Sequence, residues 1–314
     1  MPDEPAARLR RAHAVNRVRN DRIRNELEAV IRCLNRADIE PVLLKGAVDL
    51  FIRRYSDPAA RILRDLDLLV LKIHHHRAVE ALACLGYRVV PRDADWFVTY
   101  STDLTRAGSM VPVDLQWFVS AQRDVLAPED AWRSAVVHRT GDLGFRILAP
   151  EHQIVHNLLH SELQDRGDDV GFVWLRQLLD FVALCRLHGE TIDWSWIRSR
   201  FAGRGLERLP VARLYMAERL LGMPMPPAVR PTLTARLHYR RCLAQLRWRW
   251  PMALGRLWAT LTSPLDARLL DVVYGSGGGR LGLARVRVRH GLRLLGHYRG
   301  NLRGIVRKRR AKFE

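Results

Sequence analysis

Residues 65–67 read Asp-Leu-Asp and sit in an apolar run completed by Leu68, Leu69 and Val70. In a strand, alternate side chains share a face, so Asp65 and Asp67 project together about 7 Å apart. Neighbouring carboxylates repel, and aspartate is depleted in strands, so a cation is needed to offset their placement among leucines. A divalent metal is the simplest candidate. Asp114 repeats the arrangement in Val113-Asp114-Leu115. Upstream, Lys45-Gly46 follows the apolar Val42-Leu43-Leu44, where a strand turns into a helix. Glycine there lets backbone N–H groups approach a ligand, and a helix N-terminus favours an anion. Lysine opposes the positive end of the helix dipole, a conflict that a bound phosphate would resolve and that a side chain reaching into solvent would also relieve.

Several elements must position these residues. Apolar residues from Leu9 to Leu34 recur at helical spacing, which predicts one long amphipathic helix over 6–37. A strand over 42–44, a helix from Gly46 through about Arg54 and a turn at Asp57-Pro58 follow. A strand over 66–71 leads into a helix over 74–85 that stops at Gly86. Strand-like stretches appear near 96–100 and 111–119. Beyond Pro150 the pattern is helical, over 151–163, 173–187, 194–200, 209–221 and 233–261, the last interrupted by Pro251. An α/β unit over 1–150, a helical domain over 151–274 and a Gly-rich joint with a basic tail over 275–314 are therefore expected.

The 314 residues carry 52 basic and 33 acidic side chains, a formal charge of +19. Residues 1–180 are balanced, with 25 basic and 26 acidic groups, whereas 181–314 carry 27 and 7. A basic half suits phosphates, nucleic acid or an anionic surface. Only four of these cations are lysines, so an arginine-biased composition accounts for the charge equally well. No nucleic-acid recognition motif is present. The cysteines Cys33, Cys84, Cys185 and Cys242 form no CxxC pair, which argues against a zinc site or a disulfide framework. No apolar run approaches a membrane span and no signal peptide is evident, so a soluble, cytoplasmic protein is expected.

Taken together, Leu43-Leu44-Lys45-Gly46, Tyr55, Asp57-Pro58, Arg61, the 65–70 segment and Val113-Asp114-Leu115 resemble the nucleotidyltransferases of the DNA polymerase beta superfamily. The closest likeness is to a branch whose phosphate loop reads LLKG in place of Gly-Ser. Glu151-His152, His160, Trp174-Leu175 and Asp180 extend the resemblance into the helical half, so that it spans about half the chain. The resemblance implies a mixed-sheet α/β (α+β) catalytic domain followed by helices. Asp65 and Asp67 would hold two Mg²⁺ ions, with Mn²⁺ as a substitute, and Asp114 would complete the second metal site and help activate the attacking hydroxyl. Lys45, Gly46 and Arg61 would cradle the triphosphate of an NTP such as ATP. The acceptor is not specified; a small molecule or peptide of a biosynthetic route is favoured over nucleic acid. Where relatives often have histidine two residues after the third acid, this chain has Gln116, so a catalytically degenerate fold that binds nucleic acid or a membrane surface is the alternative.

Other features carry less chemistry. His74-His75-His76 opens a charged helix and reads as solvated surface. His152, His156 and His160 share one helix face without an HExxH pattern, which favours packing over ligand contact. Trp248, Trp250 and Trp258 alternate with arginines, as do Leu281, Ala284, Val288, Leu292 and Leu295 in an amphipathic stretch.

Overall fold

The computed structural model describes residues 3–91, 101–120, 122–248, 270, 282 and 284–292. The first element, α1, runs Asp3–Arg36 and changes its role along its length. Ile23, Leu27, Val30, Ile31 and Leu34 are fully buried, whereas Leu9, Val15 and Val18 are exposed. The C-terminal half is therefore a core helix. The N-terminal half instead grips the chain around Pro58: Asn16 donates to the carbonyls of Ala59 and Arg61, and Asn20 to those of Pro58 and Arg61.

A mixed seven-stranded sheet follows. In chain order the elements are β1 Val42–Leu43, α2 Lys45–Asp49, β2 Leu66–Leu69, α3 His75–Cys84, β3 Arg88–Val89, β4 Ser101–Thr105, β5 Val113–Gln116, α4 Pro128–Ser134, β6 Val136–Thr140 and β7 Leu143–Ile147. The strand order is β3-β4-β5-β2-β1-β7-β6. β1 pairs antiparallel with β2 and parallel with β7, and β2 pairs parallel with β5. The remaining elements are helical: α5 Pro150–Leu158, a π-helical turn Leu159–Gln164, α6 Gly167–Val170, α7 Leu175–His188, α8 Trp194–Phe201, α9 Arg208–Leu221 and α10 Leu233–Arg247.

Strand alternation separates two apolar layers. Leu43, Leu66, Leu68, Val113 and Leu115 face α1 and α3, where they meet Leu27, Ile31, Ala78 and Leu82. On the other face Val42, Leu44 and Leu69 join Ile154, Leu158, Phe181 and Leu214 from the helical half. The change of element type near Pro150 thus crosses a shared core, and the helices build the second wall of the sheet.

Three differences from the expected elements have physical reasons. α2 ends at Asp49, short of Arg54, because Arg54 folds back onto the Asp49 carboxylate and the Lys45 carbonyl. The β6–β7 hairpin was not expected. Val136 and Val137 are exposed on an edge strand, so no burial-driven alternation marks it, although Gly141 turns the chain at φ 60°. β3 is two exposed residues long and equally faint.

The four cysteines are free thiols. No helix among the described residues is long and apolar enough to cross a membrane. The expected strand near 96–100, Trp250 and Trp258, the 275–279 joint and the tail past 292 lie outside the described residues. Within 284–292 the chain is helical, with Val288 and Leu292 exposed.

Candidate active site

β1 ends beside the start of β2 at the floor of a cleft walled on the far side by α5 and α7. Lys45, Gly46, Asp65, Asp67, His160 and Arg176 are among its lining residues. The Leu44 amide donates to the Asp67 carbonyl at 3.0 Å, which holds the end of β1 against β2. The chain then reverses through Lys45, whose φ of 46° is left-handed, a conformation that costs a non-glycine residue about 1–3 kcal/mol. That turn aims the ammonium at the sheet, and Lys45 Nζ lies 2.6 Å from Asp67 Oδ1.

Gly46 has a packing reason besides the expected one. A Cβ at this position would collide with the Arg61 guanidinium and the Leu63 side chain. The absent side chain therefore makes room for a buried arginine.

Sheet register brings the acids together. Asp67 pairs with Asp114 across β2 and β5, and Asp114 pairs with Asp103 across β5 and β4. Directly opposed residues share a face, so the three line up beneath the helical wall. Asp67 is 2 % exposed. Gln116 Nε2 donates to both Asp67 Oδ1, at 2.9 Å, and Asp114 Oδ2, at 2.7 Å. The amide thus fixes the two carboxylates relative to each other, a positioning role that needs no proton carrier.

Burial and mutual repulsion act on Asp65 and Asp114 more strongly than the nearby cations do. Burial and the nearby Asp67 push the Asp114 carboxyl up to about 6, despite Lys45, Ser101 and Gln116. Asp65 is raised for the same two reasons, opposed by Lys45, Arg176 and His160. Burial works against the Lys45 ammonium, but the surrounding carboxylates outweigh it and raise its pKa. Three carboxylates thus face one ammonium. Their hard oxygen donors fit a Mg²⁺-type cation, and the charge deficit is of the size two such ions would more than fill.

Arg61 lies in the cleft wall, 119 residues from its main partner. Its Nε and Nη2 donate to Asp180 Oδ1 and Oδ2 at 2.9 and 2.7 Å, and Asp49 Oδ2 lies 3.0 Å from Nε. Tyr55 donates its hydroxyl to the same Asp180. The expected phosphate contact from Arg61 meets a guanidinium already gripped by two carboxylates, so its visible contribution is to tie the 50–64 loop to α7.

The histidines divide by position. His75 Nε2 lies 3.1 Å from the Thr102 hydroxyl, and His76 sits beside Glu80 at the surface, so the His74–His76 run gathers no common ligand. His152 packs on Trp196. His156 and His160 both line the cleft. Burial, with Lys45 and His160 nearby, keeps His156 neutral by lowering its pKa well below the usual range. His160 stands in the π-helical turn, where Gln177 Nε2 is 2.8 Å from its Nδ1. Such turns recur at functional sites because they rotate one side chain off the α-helical phase.

Sequence reasoning passed over Asp103, Arg64 and Arg176. Nothing marks β4 as the neighbour of β5, and single arginines in an arginine-rich chain carry no signal.

A different group, Glu162, Asp168 and His238, brings one possible ligand atom each within 4.8 Å of the others. Arg213 pairs with Glu162 at 2.6 Å, and Arg208 grips both oxygens of Asp168. Two guanidiniums already answer the two carboxylates, so the donor set does not call for a metal.

Adjacent carboxylate-bearing strands thus lie beneath a lysine loop, with a helical wall opposite. The chain belongs to a family described as an uncharacterised nucleotidyltransferase, whose sequence model matches residues 1–222. The protein is thus a nucleotidyltransferase by family. Among solved structures it is similar to the antibiotic-resistance factor ANT(2'')-Ia, at 13% identity and a TM-score of 0.40, over 62% of this chain and 96% of that one. An antigenic nucleotidyltransferase-like protein from Paracoccidioides brasiliensis shows 15% identity and a TM-score of 0.36, over 61% of this chain and 91% of that one. No curated protein matches the chain in sequence.

Proposed function

We propose that the cleft transfers a nucleoside monophosphate from an NTP to a hydroxyl or phosphate oxygen of an acceptor, with Mg²⁺ and with release of pyrophosphate. The observation that carries the reading is the Asp67–Asp114 register: parallel strands from distant parts of the chain place two acids side by side, next to Asp65 and under Lys45. Divalent cations held by Asp65, Asp67 and Asp114 would supply charge neutralisation at the phosphates.

The chain's own groups do the rest. The Lys45 ammonium attracts the triphosphate toward the floor. Gln116 holds Asp67 and Asp114 in one orientation. For a hydroxyl acceptor, Asp114 takes its proton as the oxygen bonds to the α-phosphorus. The bond from that phosphorus to the bridging oxygen breaks, and pyrophosphate leaves with the electron pair. The wall of α5 and α7 limits water at the reacting phosphorus. A small-molecule or peptide acceptor remains our preferred substrate class, by analogy with the family rather than from any contact in the cleft.

The test is ligand binding followed by labelling. Mg²⁺ with an NTP should raise the melting temperature, and Asp65→Asn with Asp67→Asn should abolish the rise. An unchanged rise in the double variant would remove the assigned site. Incubation with each labelled NTP and a cell extract then identifies the acceptor by what becomes labelled.

A further inference from the structure

Four arginines line the cleft, and they divide into two pairs. Arg54 and Arg61 are buried and answered: Arg54 binds Asp49 and the Lys45 carbonyl, and Arg61 binds Asp180 and Asp49. Two acids and two guanidiniums close that account. Arg64 and Arg176 are exposed and make no hydrogen bond or ion pair among the described residues. They stand on opposite sides of the cleft, Arg64 on the loop entering β2 and Arg176 in the first turn of α7. Arg176 and Asp65 both line the cleft, yet the two side chains form no ion pair.

That standoff is informative. Arg61 closes into a salt bridge with Asp180 in the same cleft, whereas Arg64 and Arg176 leave their guanidiniums unanswered beside the acids of its lining. A second observation points the same way: His156, 4 % exposed and lining the same cleft, leaves its Nε2 without a hydrogen-bond partner. A buried polar atom with no partner is costly unless a ligand or water completes it. Lys45 lies at the floor, His156 and His160 along the wall, and the two arginines at the mouth.

We propose that Arg64 and Arg176 form the seat for the β- and γ-phosphates of the nucleotide, and for pyrophosphate before it departs. This rests on the nucleotidyl-transfer reading above and adds residues to it. Guanidinium forks suit terminal phosphate oxygens, and their exposed position at the mouth suits a product that must leave. The pair selects triphosphate over monophosphate, because a monophosphate held at the floor does not reach the mouth.

Isothermal titration of wild type, Arg64→Gln/Arg176→Gln and Asp65→Asn/Asp67→Asn with Mg²⁺-NTP, inorganic pyrophosphate and nucleoside monophosphate tests the assignment. Ligand-free melting temperatures serve as the folding control. The arginine variant should bind NTP and pyrophosphate at least about tenfold more weakly per arginine, with monophosphate affinity unchanged. Arg→Lys at both positions should recover part of the loss. If the arginine variant binds NTP and pyrophosphate as wild type does while the aspartate variant loses NTP, the phosphate seat is wrong and the nucleotidyl-transfer reading stands. If wild type binds neither NTP nor pyrophosphate, both fall.

Discussion

Asp114 and Asp180 are both largely buried aspartates flanking one cleft, and their surroundings drive them in opposite directions. Burial would raise the Asp180 carboxyl, but the Arg61 fork and the Tyr55 hydroxyl outweigh it and hold the group below the usual range. Asp114 has Lys45, Ser101 and Gln116 against burial and Asp67, and it rises to about 6. Asp49, in the Arg61 network, is also raised, because burial there outweighs the two arginines it shares. What separates the regions is which groups are left wanting a cation. Around Asp180 the chain supplies its own; at the β2–β5 floor three acids face a single ammonium, and the proposed function makes them depend on a cation brought in from outside.

The largest effect should come from removing that dependence. Asp65→Asn with Asp67→Asn is expected to reduce nucleotidyl transfer by about 10³-fold or more, read as pyrophosphate release, while the fold survives. A folded double variant with undiminished turnover would end the contrast as drawn. On the other side, Asp180→Ala leaves Arg61 buried without its main partner and should cost roughly 3 kcal/mol of stability in chemical denaturation. A loss near zero would mean that the Arg61 network is loosely held and no scaffold.

Asp114→Asn should act in the opposite sense. A carboxyl raised by the fold binds its proton more tightly in the native than in the unfolded state. Stability therefore falls as pH rises from about 4 to about 6, and the penalty is fully present above that. The variant should gain about 3 kcal/mol at pH 7.5, and the gain should largely vanish by pH 4. Denaturation curves across pH check this, and a pH-independent difference would contradict it. The smallest effect is expected at Gln116. Gln116→Leu removes the bridge between Asp67 and Asp114 without removing a carboxylate, and should weaken metal-dependent NTP binding about tenfold. Gln116→His would show whether a proton-carrying side chain adds activity that the amide cannot provide.

The two regions also differ in how far the sequence discloses them. Acids embedded in apolar runs stand out because strand period and composition conflict locally, so Asp65, Asp67 and Asp114 could be picked out one segment at a time. The long helix α1 was readable from its period, and most helices beyond Pro150 came within a few residues of their observed bounds, although the last, expected over 233–261, ends at Arg247 where Trp248 turns extended. The Arg61–Asp180 contact joins residues 119 apart, and no local pattern encodes which arginine meets which aspartate. Asp103 joins the acidic row only through β4–β5 register. Gly46 was legible as a special position, but the reason for it, the guanidinium pressed against its Cα, belongs to the tertiary structure.

The asparagines of α1 carry a practical consequence. Asn16 and Asn20 hold the carbonyls of Pro58, Ala59 and Arg61, and His13 reaches the Asp57 carboxylate. The solvent-facing start of that helix is thus the clasp on the loop that delivers both Arg61 and Arg64 to the cleft. Trimming the polypeptide to begin beyond Asn20 would preserve every carboxylate of the cleft and every strand. It would also let the loop swing, so an inactive shortened protein would say nothing against the floor itself.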